Sequence, residues 1–185
     1  MVVKFRESYS ALAKKLLGSG LRAVQRAHVY QTLAQRLAPG FTISLAGPND
    51  LAKIFGGEPP PDLKSNSTIF VARSRLSLIG YVLLVKHPQE NYPYVGHWFY
   101  GLWVSPLWRR LGIGEALLQQ VIEQAEAEKA SALFCLVFED NRAALNLYDK
   151  LGFHIAVLPA LEKELADEIR TYGRRRVLLR KALSR

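Results

Sequence analysis

This chain predicts an α+β fold, one mixed sheet carrying helices on both faces, and three observations predict it. From Phe41 onward, short apolar runs that fit strands alternate with segments whose apolar residues recur at helical spacing. An aromatic run, His97-Trp98-Phe99-Tyr100-Gly101-Leu102-Trp103-Val104, passes through a basic glycine turn straight into a helical pattern. The 185 residues, 49% hydrophobic and 22% charged, fit one domain with a proper core.

Residues 1–38 read as two helical pieces broken at Gly18-Ser19-Gly20, with Phe5, Tyr9, Leu12 and Leu16 on one face of the first. They carry seven Lys/Arg against one acid. This basic amphipathic extension suits docking on the following domain, residues 39–185, and equally a membrane surface or a partner. Pro39-Gly40 ends it. Phe41 to Leu45 reads as a strand, and Pro48 to Phe55 as a short helix with Asn49 or Asp50 near its start. Gly56 to Ser67 is a loop. Thr68 to Arg73 and Leu76 to Lys86 are strands joined by a tight turn, hence antiparallel. Pro88 to Gly96 is a second loop. The strand to Val104 and a helix from Gly112 to Lys129 follow, with Ala116, Leu117, Val121, Ile122 and Ala125 at helical spacing. Leu133 to Val137 is a strand, Asn141 to Leu151 a helix, His154 to Val157 a strand, Leu161 to Arg170 a helix and Arg174 to Lys181 a last strand.

The turn Arg109-Arg110-Leu111-Gly112-Ile113-Gly114 stands between strand and helix. Such a turn presents several backbone N–H groups to one anion, with the helix dipole behind them, and its glycines admit a close approach. It reads as a seat for a pyrophosphate. No Gly-Lys-Ser/Thr follows, so it is not a Walker loop, and Leu117 stands where a dinucleotide fingerprint has its third glycine.

A second motif decides the reading: Asn141-x-x-Ala144-x-x-Leu147-Tyr148-x-x-x-Gly152-Phe153. With Arg109-x-x-Gly112-x-Gly114 before it, the chain resembles the GNAT superfamily of acyl-CoA-dependent N-acetyltransferases. The resemblance implies a largely antiparallel sheet whose fourth and fifth strands splay apart to admit the pantetheine arm of coenzyme A. It implies backbone contacts to that arm from Leu102, Trp103 and Val104, and a pyrophosphate site over Arg109, Arg110, Leu111, Gly112, Ile113, Gly114 and Glu115. Asn141 contacts the cofactor as well as capping its helix, and Ala144 leaves room beside it. Tyr148 is the implied catalytic residue, protonating the departing thiolate. The reaction implied is direct attack by an amine on acetyl-CoA in a ternary complex, with backbone N–H groups stabilising the oxyanion. Gly152 ends its helix left-handed and Phe153 packs in the core.

The base is not written in the sequence. Family members often place a glutamate where this chain has Trp98. Tyr100 shares the face of Trp98 by alternation, while His97 points the other way. His97, Tyr100, Glu90 and a water chain all stand as routes for the proton. A lysine-like amine is only about one part in a thousand neutral at pH 7.4, so either such a route exists or the acceptor is a low-pKa amine.

Composition excludes other chemistries. The lone cysteine, Cys135, sits in an apolar run and reads as buried and inert, so a covalent acetyl-cysteine route is not expected. Four scattered histidines offer no metal spacing, and no metal is expected. No membrane span or leader is visible, and the expected compartment is the cytoplasm. The net charge of +9 is concentrated in residues 1–38 and 170–185, while residues 39–169 carry eleven bases and fifteen acids. The body is therefore not a basic nucleic-acid surface, and no strong case for nucleic acid exists. Two other readings are a catalytically silent CoA-binding module docking through its basic ends and a nucleic-acid-associated protein using those ends. The amine acceptor, small molecule or protein amine, and the oligomeric state are open.

Overall fold

The computed structural model describes residues 40–56, 66–75 and 77–183. The expected basic extension, residues 1–38, lies outside them, as does most of the loop predicted after Gly56. The strands are β1 (Thr42–Leu45), β2 (Ser67–Ser74), β3 (Ser77–His87), β4 (Gly96–Val104), β5 (Ala132–Phe138), β6 (His154–Ile155) and β7 (Arg176–Ala182). The helices are α1 (Pro48–Phe55), α2 (Ile113–Ala127), α3 (Arg142–Lys150) and α4 (Pro159–Tyr172). One seven-stranded sheet runs in the order β1-β2-β3-β4-β5-β7-β6. Every neighbouring pair is antiparallel except β4 and β5, which are parallel. The mixed α+β sheet expected from the sequence is thus present.

The helices form because each has an apolar stripe to bury. Leu117, Leu118, Val121, Ile122 and Ala125 of α2 pack on Phe70, Val82, Leu84, Phe99 and Leu133, and α3 adds Tyr148 to the same cluster. Burying each such aliphatic side chain is favourable by about 1.5–3 kcal/mol, which outweighs the modest intrinsic propensity of the helix. On the opposite face α1 covers Ile69, Val71 and Leu83, and α4 lays Leu161 and Leu165 over Trp98 and Leu178. Tyr100 packs against both of these smaller clusters and so lies between α1 and α4.

Most boundaries fall within two residues of expectation, and several differences have a visible cause. The strand from His154 stops at Ile155, because the chain must turn before Pro159, which opens α4 at its first position. Helix α4 accordingly starts two residues before Leu161 and runs on to Tyr172. The last strand begins at Arg176; Arg174 instead pairs with Asp140 at 2.8 Å and stacks over the Phe138 ring. The loop after Pro88 contains a 3-10 turn, Gln89–Asn91.

Candidate active site

Strands β4 and β5 are in register at two pairs only, His97 with Leu133 and Trp98 with Phe134. Beyond them the strands part. The cause lies on the other edge of β4, where Tyr81 and Leu83 of β3 face Trp103 and Tyr100, so β4 holds one residue too many. Gly101 absorbs that bulge with φ +61°, a left-handed conformation that side chains resist. Meanwhile β5 stays with β7 through seven consecutive pairs, Ala132–Ala182 to Phe138–Arg176. The backbone of β4 past Trp98 therefore has no strand partner on its β5 side. Ser105 N–H donates to the Ile79 carbonyl at 2.8 Å, which by alternation turns the backbone groups of Val104 away from β3 and into the crack. The same alternation gives Trp103's backbone to β3 and returns Leu102's to the crack. Buried peptide groups left unpaired are each unfavourable by about 1–3 kcal/mol, so the crack is chemically suited to a ligand bearing amides. The Val104 carbonyl is taken by Arg109 Nε at 3.1 Å, which leaves that residue's N–H to offer.

A short 3-10 turn, Pro106–Trp108, carries the chain to the basic turn. Arg110 and Gly112 both have positive φ, 65° and 79°, and Gly112 passes directly into right-handed helix at Ile113. A left-handed residue followed by a right-handed one turns successive N–H groups toward a common point, an anion-binding concavity. The first helical bond runs from Ala116 N–H to Gly112 O at 2.9 Å, so the N–H groups of Ile113, Gly114 and Glu115 lie ahead of the helical ladder. Side chains here do other work. Ile113 is in the core and Leu111 packs against it. The Glu115 carboxylate meets Lys150 Nζ at 2.7 Å, tying α2 to α3. Gly114 is small for packing: a Cβ there would sit 3.3 Å from Leu147 and 3.8 Å from Val104. Arg109 and Arg110 are exposed beside the concavity.

Helix α3 packs Tyr148 against Phe99 of β4. Asn141 caps it, its Oδ1 accepting from Ala144 N–H at 3.2 Å, so the side-chain amide N–H₂ groups remain available. Ala144 is half-buried against the core, and Gly152 ends the helix with φ +80°. Tyr148 is buried, edge-on to Phe99 at 5.3 Å between ring centres. Burial pushes its phenol well above the usual range, with the neighbouring Cys135 adding to the effect. Cys135 is itself buried, and burial pushes its thiol up too. The Tyr148 hydroxyl has no hydrogen-bond partner among the described residues, yet no fully buried side-chain oxygen among them goes unpaired. It therefore opens onto space that solvent reaches.

A family model described as the acetyltransferase (GNAT) family matches residues 42–153, well over half the chain. The chain belongs to the GNAT acetyltransferase family. Among its relatives, the [ribosomal protein bS18]-alanine N-acetyltransferase of Escherichia coli K12 is 38% identical over 55 residues, 30% of this chain and 37% of that enzyme. The mycothiol acetyltransferase of Paenarthrobacter aurescens is 35% identical over 77 residues, 41% of this chain and 24% of that enzyme. The matched stretch is thus well under half the length of these curated relatives. A Bacillus subtilis acetyltransferase solved in complex with CoA shares the fold at a TM-score of 0.59 and 19% identity, covering 78% of this chain and all of that one.

On the α4 face of this GNAT sheet lies a second feature of the site, a cavity of about 450 Å³ lined by His87, Asn91, Tyr92, Tyr94, Tyr100, Leu136 and Arg176. Tyr100 and Leu136 are the residues on this face immediately past the last β4–β5 pair, so the cavity stands over the opening of the crack. Burial pushes the Tyr100 phenol up and holds the His87 imidazole below its usual value. The other two base candidates are elsewhere. His97 is buried on the α2 face with Nε2 2.9 Å from Glu128. Burial alone would raise the Glu128 pKa, but hydrogen bonds from Gln124 and His97 outweigh it and the net shift is downward. Glu90 lies exposed on the 3-10 turn and does not line the cavity. Sequence reasoning passed over His87 and Arg176. Strand parity could have found both: His87 follows Leu83 and Val85 at period two, and Arg176 precedes Leu178 likewise.

No metal-binding cluster of His, Cys, Asp or Glu is formed among the described residues, and no described helix is long and apolar enough to cross a membrane.

Proposed function

We propose that this chain is an N-acetyltransferase that moves an acetyl group from acetyl-CoA to a primary amine by direct attack. The observation that carries the proposal is the parting of β4 and β5 past Trp98 and Phe134, with Tyr148 packed on Phe99 of β4 nearby. Bound acetyl-CoA would supply an activated thioester. The residues fit it. Backbone groups of Leu102 and Val104 face the crack and suit the pantetheine amides. The N–H groups of Ile113, Gly114 and Glu115, ahead of the helical ladder, suit a pyrophosphate, with Arg109 and Arg110 adding charge. Asn141 has amide donors to spare beside Ala144. Tyr148 holds its proton at neutral pH and gives it to the sulfur of the departing thiol, the step on which turnover depends.

The amine belongs on the cavity side. No carboxylate lines that cavity, and the two closest by are engaged, Glu164 by the Tyr94 hydroxyl at 2.5 Å and Glu168 by Arg176. A site without a free carboxylate base suits an amine that needs little deprotonation. An α-amine with pKa near 7.7–8.0 is about a quarter neutral at pH 7.4, against about one part in a thousand for a lysine. The acceptor class we favour is accordingly a low-pKa amine, as on a protein N-terminus or a small metabolite. A cytoplasmic setting belongs to the same proposal, in keeping with the single buried thiol. The test is calorimetric titration with CoA followed by acetyl transfer to an amine panel. Saturable binding with transfer to α-amines is expected, and no heat with CoA at millimolar levels would sink the reading.

A further inference from the structure

Hydrogen-bond accounting in the cavity leaves two donors with nothing to donate to among the described residues. Asn91 Nδ2 lies 3.0 Å from His87 Nδ1. An amide nitrogen only donates, so Nδ1 accepts and the ring proton resides on Nε2. That Nε2 lies 2.9 Å from the Tyr100 hydroxyl and donates to its oxygen. Tyr100's own proton must then point elsewhere, and no described residue accepts it. Arg176 gives Nε and one terminal nitrogen to Glu168, leaving its Nη1 uncommitted. Both residues line the cavity, whose remaining walls are largely aromatic or apolar: Tyr92, Tyr94 and Leu136.

We infer that this cavity seats the acceptor and that Tyr100, its hydroxyl aligned by His87, donates to an oxygen on the carbon next to the one that bears the attacking amine. The acceptor is then an α-amino carbonyl compound, a peptide N-terminus or an amino acid, and not a plain alkylamine. The inference rests on the acetyltransferase reading and adds the acceptor's chemistry to it. Three features agree. The donor pair asks for an oxygen, since a buried donor facing a ligand without one is left unpaired and penalised. The cavity opens on the crack, so an oxygen held by Tyr100 leaves the adjacent amine within reach of a thioester between β4 and β5. The site's neighbouring carboxylates Glu164 and Glu168 are engaged, which matches the easily deprotonated amine of a peptide N-terminus within this class. Tyr100 is thus a binding residue and His87 the residue that positions it.

The test uses the full chain with saturating acetyl-CoA and three acceptors: a tripeptide with a free N-terminus, the free amino acid of its first residue, and an alkylamine of similar size. Tyr100→Phe keeps the ring and removes the donor. Its expected effect is a KM about five- to tenfold higher for the carbonyl-bearing acceptors, from loss of one neutral hydrogen bond, with a clearly smaller change for the alkylamine and KM for acetyl-CoA within about twofold. His87→Ala gives a smaller rise, and His87→Gln, which keeps an N–H at similar reach, reverses it. Calorimetric binding of the tripeptide without acetyl-CoA shows the same ranking. Preference for the tripeptide assigns a peptide carbonyl, and preference for the amino acid a carboxylate. Equal loss with the alkylamine, or unimpaired tripeptide binding by Tyr100→Phe, overturns the inference. Binding of CoA with transfer only to the alkylamine sinks the α-amino carbonyl assignment alone, whereas absence of CoA binding sinks the acetyltransferase reading beneath it.

Discussion

Tyr148→Phe separates chemistry from folding unusually well in this protein. The ring keeps its edge contact with Phe99 and its place beside Phe153, so the core loses no carbon. The hydroxyl makes no hydrogen bond to a described residue, so removing it breaks none and leaves no orphaned partner. Stability should change by no more than about 1 kcal/mol, or about 2–4 °C in Tm for a chain of this size. Catalysis should respond much more. A positioned general acid contributes about 10²–10⁴-fold, and solvent reaching the crack can recover part of it. The expected fall in kcat is about 10²-fold, near 2.7 kcal/mol of barrier, with KM for acetyl-CoA within about twofold because the phenol is not asked to bind the resting thioester. Burial raises the Tyr148 phenol, so it stays protonated as a donor across the neutral range. Steady-state kinetics at saturating acceptor, with Tm measured on the same preparation, decide the matter. Unchanged kcat in a folded variant would remove Tyr148 from the mechanism.

Three further outcomes follow from the geometry. Gly101→Val forces a β-branched residue into a left-handed backbone at the bulge, while its Cβ meets Leu83 and Tyr81 only at ordinary distances of 3.5 and 3.7 Å. The strain, about 1–2 kcal/mol, is relieved by undoing the bulge, so CoA affinity by calorimetry should fall at least about tenfold along with Tm; full affinity would detach the bulge from the crack. Tyr94 is pushed up to about 12, by burial and its bond to Glu164, and Tyr100 and Tyr148 higher still by burial, so absorbance titration of the folded chain should leave these three tyrosines protonated near pH 11. Because the folded values exceed the unfolded value near 10, the associated stability is whole below pH 10 and declines as pH rises above it, measurable by urea unfolding at pH 9 and 11. His97→Ala should lower Tm through loss of its contact with Glu128 yet leave the pH profile of kcat/KM intact; an abolished limb near pH 6.5 would restore His97 as the base.

What was legible in the sequence depended on how local the signal was. The turn at Arg109–Gly114 and the helix from Asn141 to Phe153 each hold their specifying residues within thirteen positions or fewer, and both appear where expected. The burial of Cys135 and the N-cap at Asn141 were likewise written in their neighbours. The cavity was not, because it is assembled from five separate places: the end of β3, the Asn91–Tyr94 loop, the middle of β4, the middle of β5 and the start of β7. Strand parity alone gives the face of His87, but only the bulge at Gly101 and the order β5-β7 place it opposite Arg176. Gly114 shows the reverse case, a motif glycine whose tight contact is with Leu147 of its own chain.

Trp98 explains why the proton route had to differ from the carboxylate that the resemblance would place on this strand. The indole is 1% exposed, stacked on Phe134 at 5.2 Å and Tyr100 at 6.4 Å, and its N–H donates to the Val95 carbonyl at 3.1 Å. A glutamate in that place would be an ionised group among aromatic rings with no cation facing it, and burial would hold it protonated and useless as a base unless the cluster opened. The aromatic cluster instead closes the parallel end of the β4–β5 pair and gives α4 a surface to pack on through Leu161 and Leu165. The indole also backs Tyr94 and Tyr100, two residues that line the cavity. The chemical consequence falls on the acceptor. On the acceptor reading proposed above, with no carboxylate lining the cavity to take its proton, the favoured amine is one already substantially neutral, and the His87–Tyr100 pair orients it through a neighbouring oxygen without having to deprotonate it.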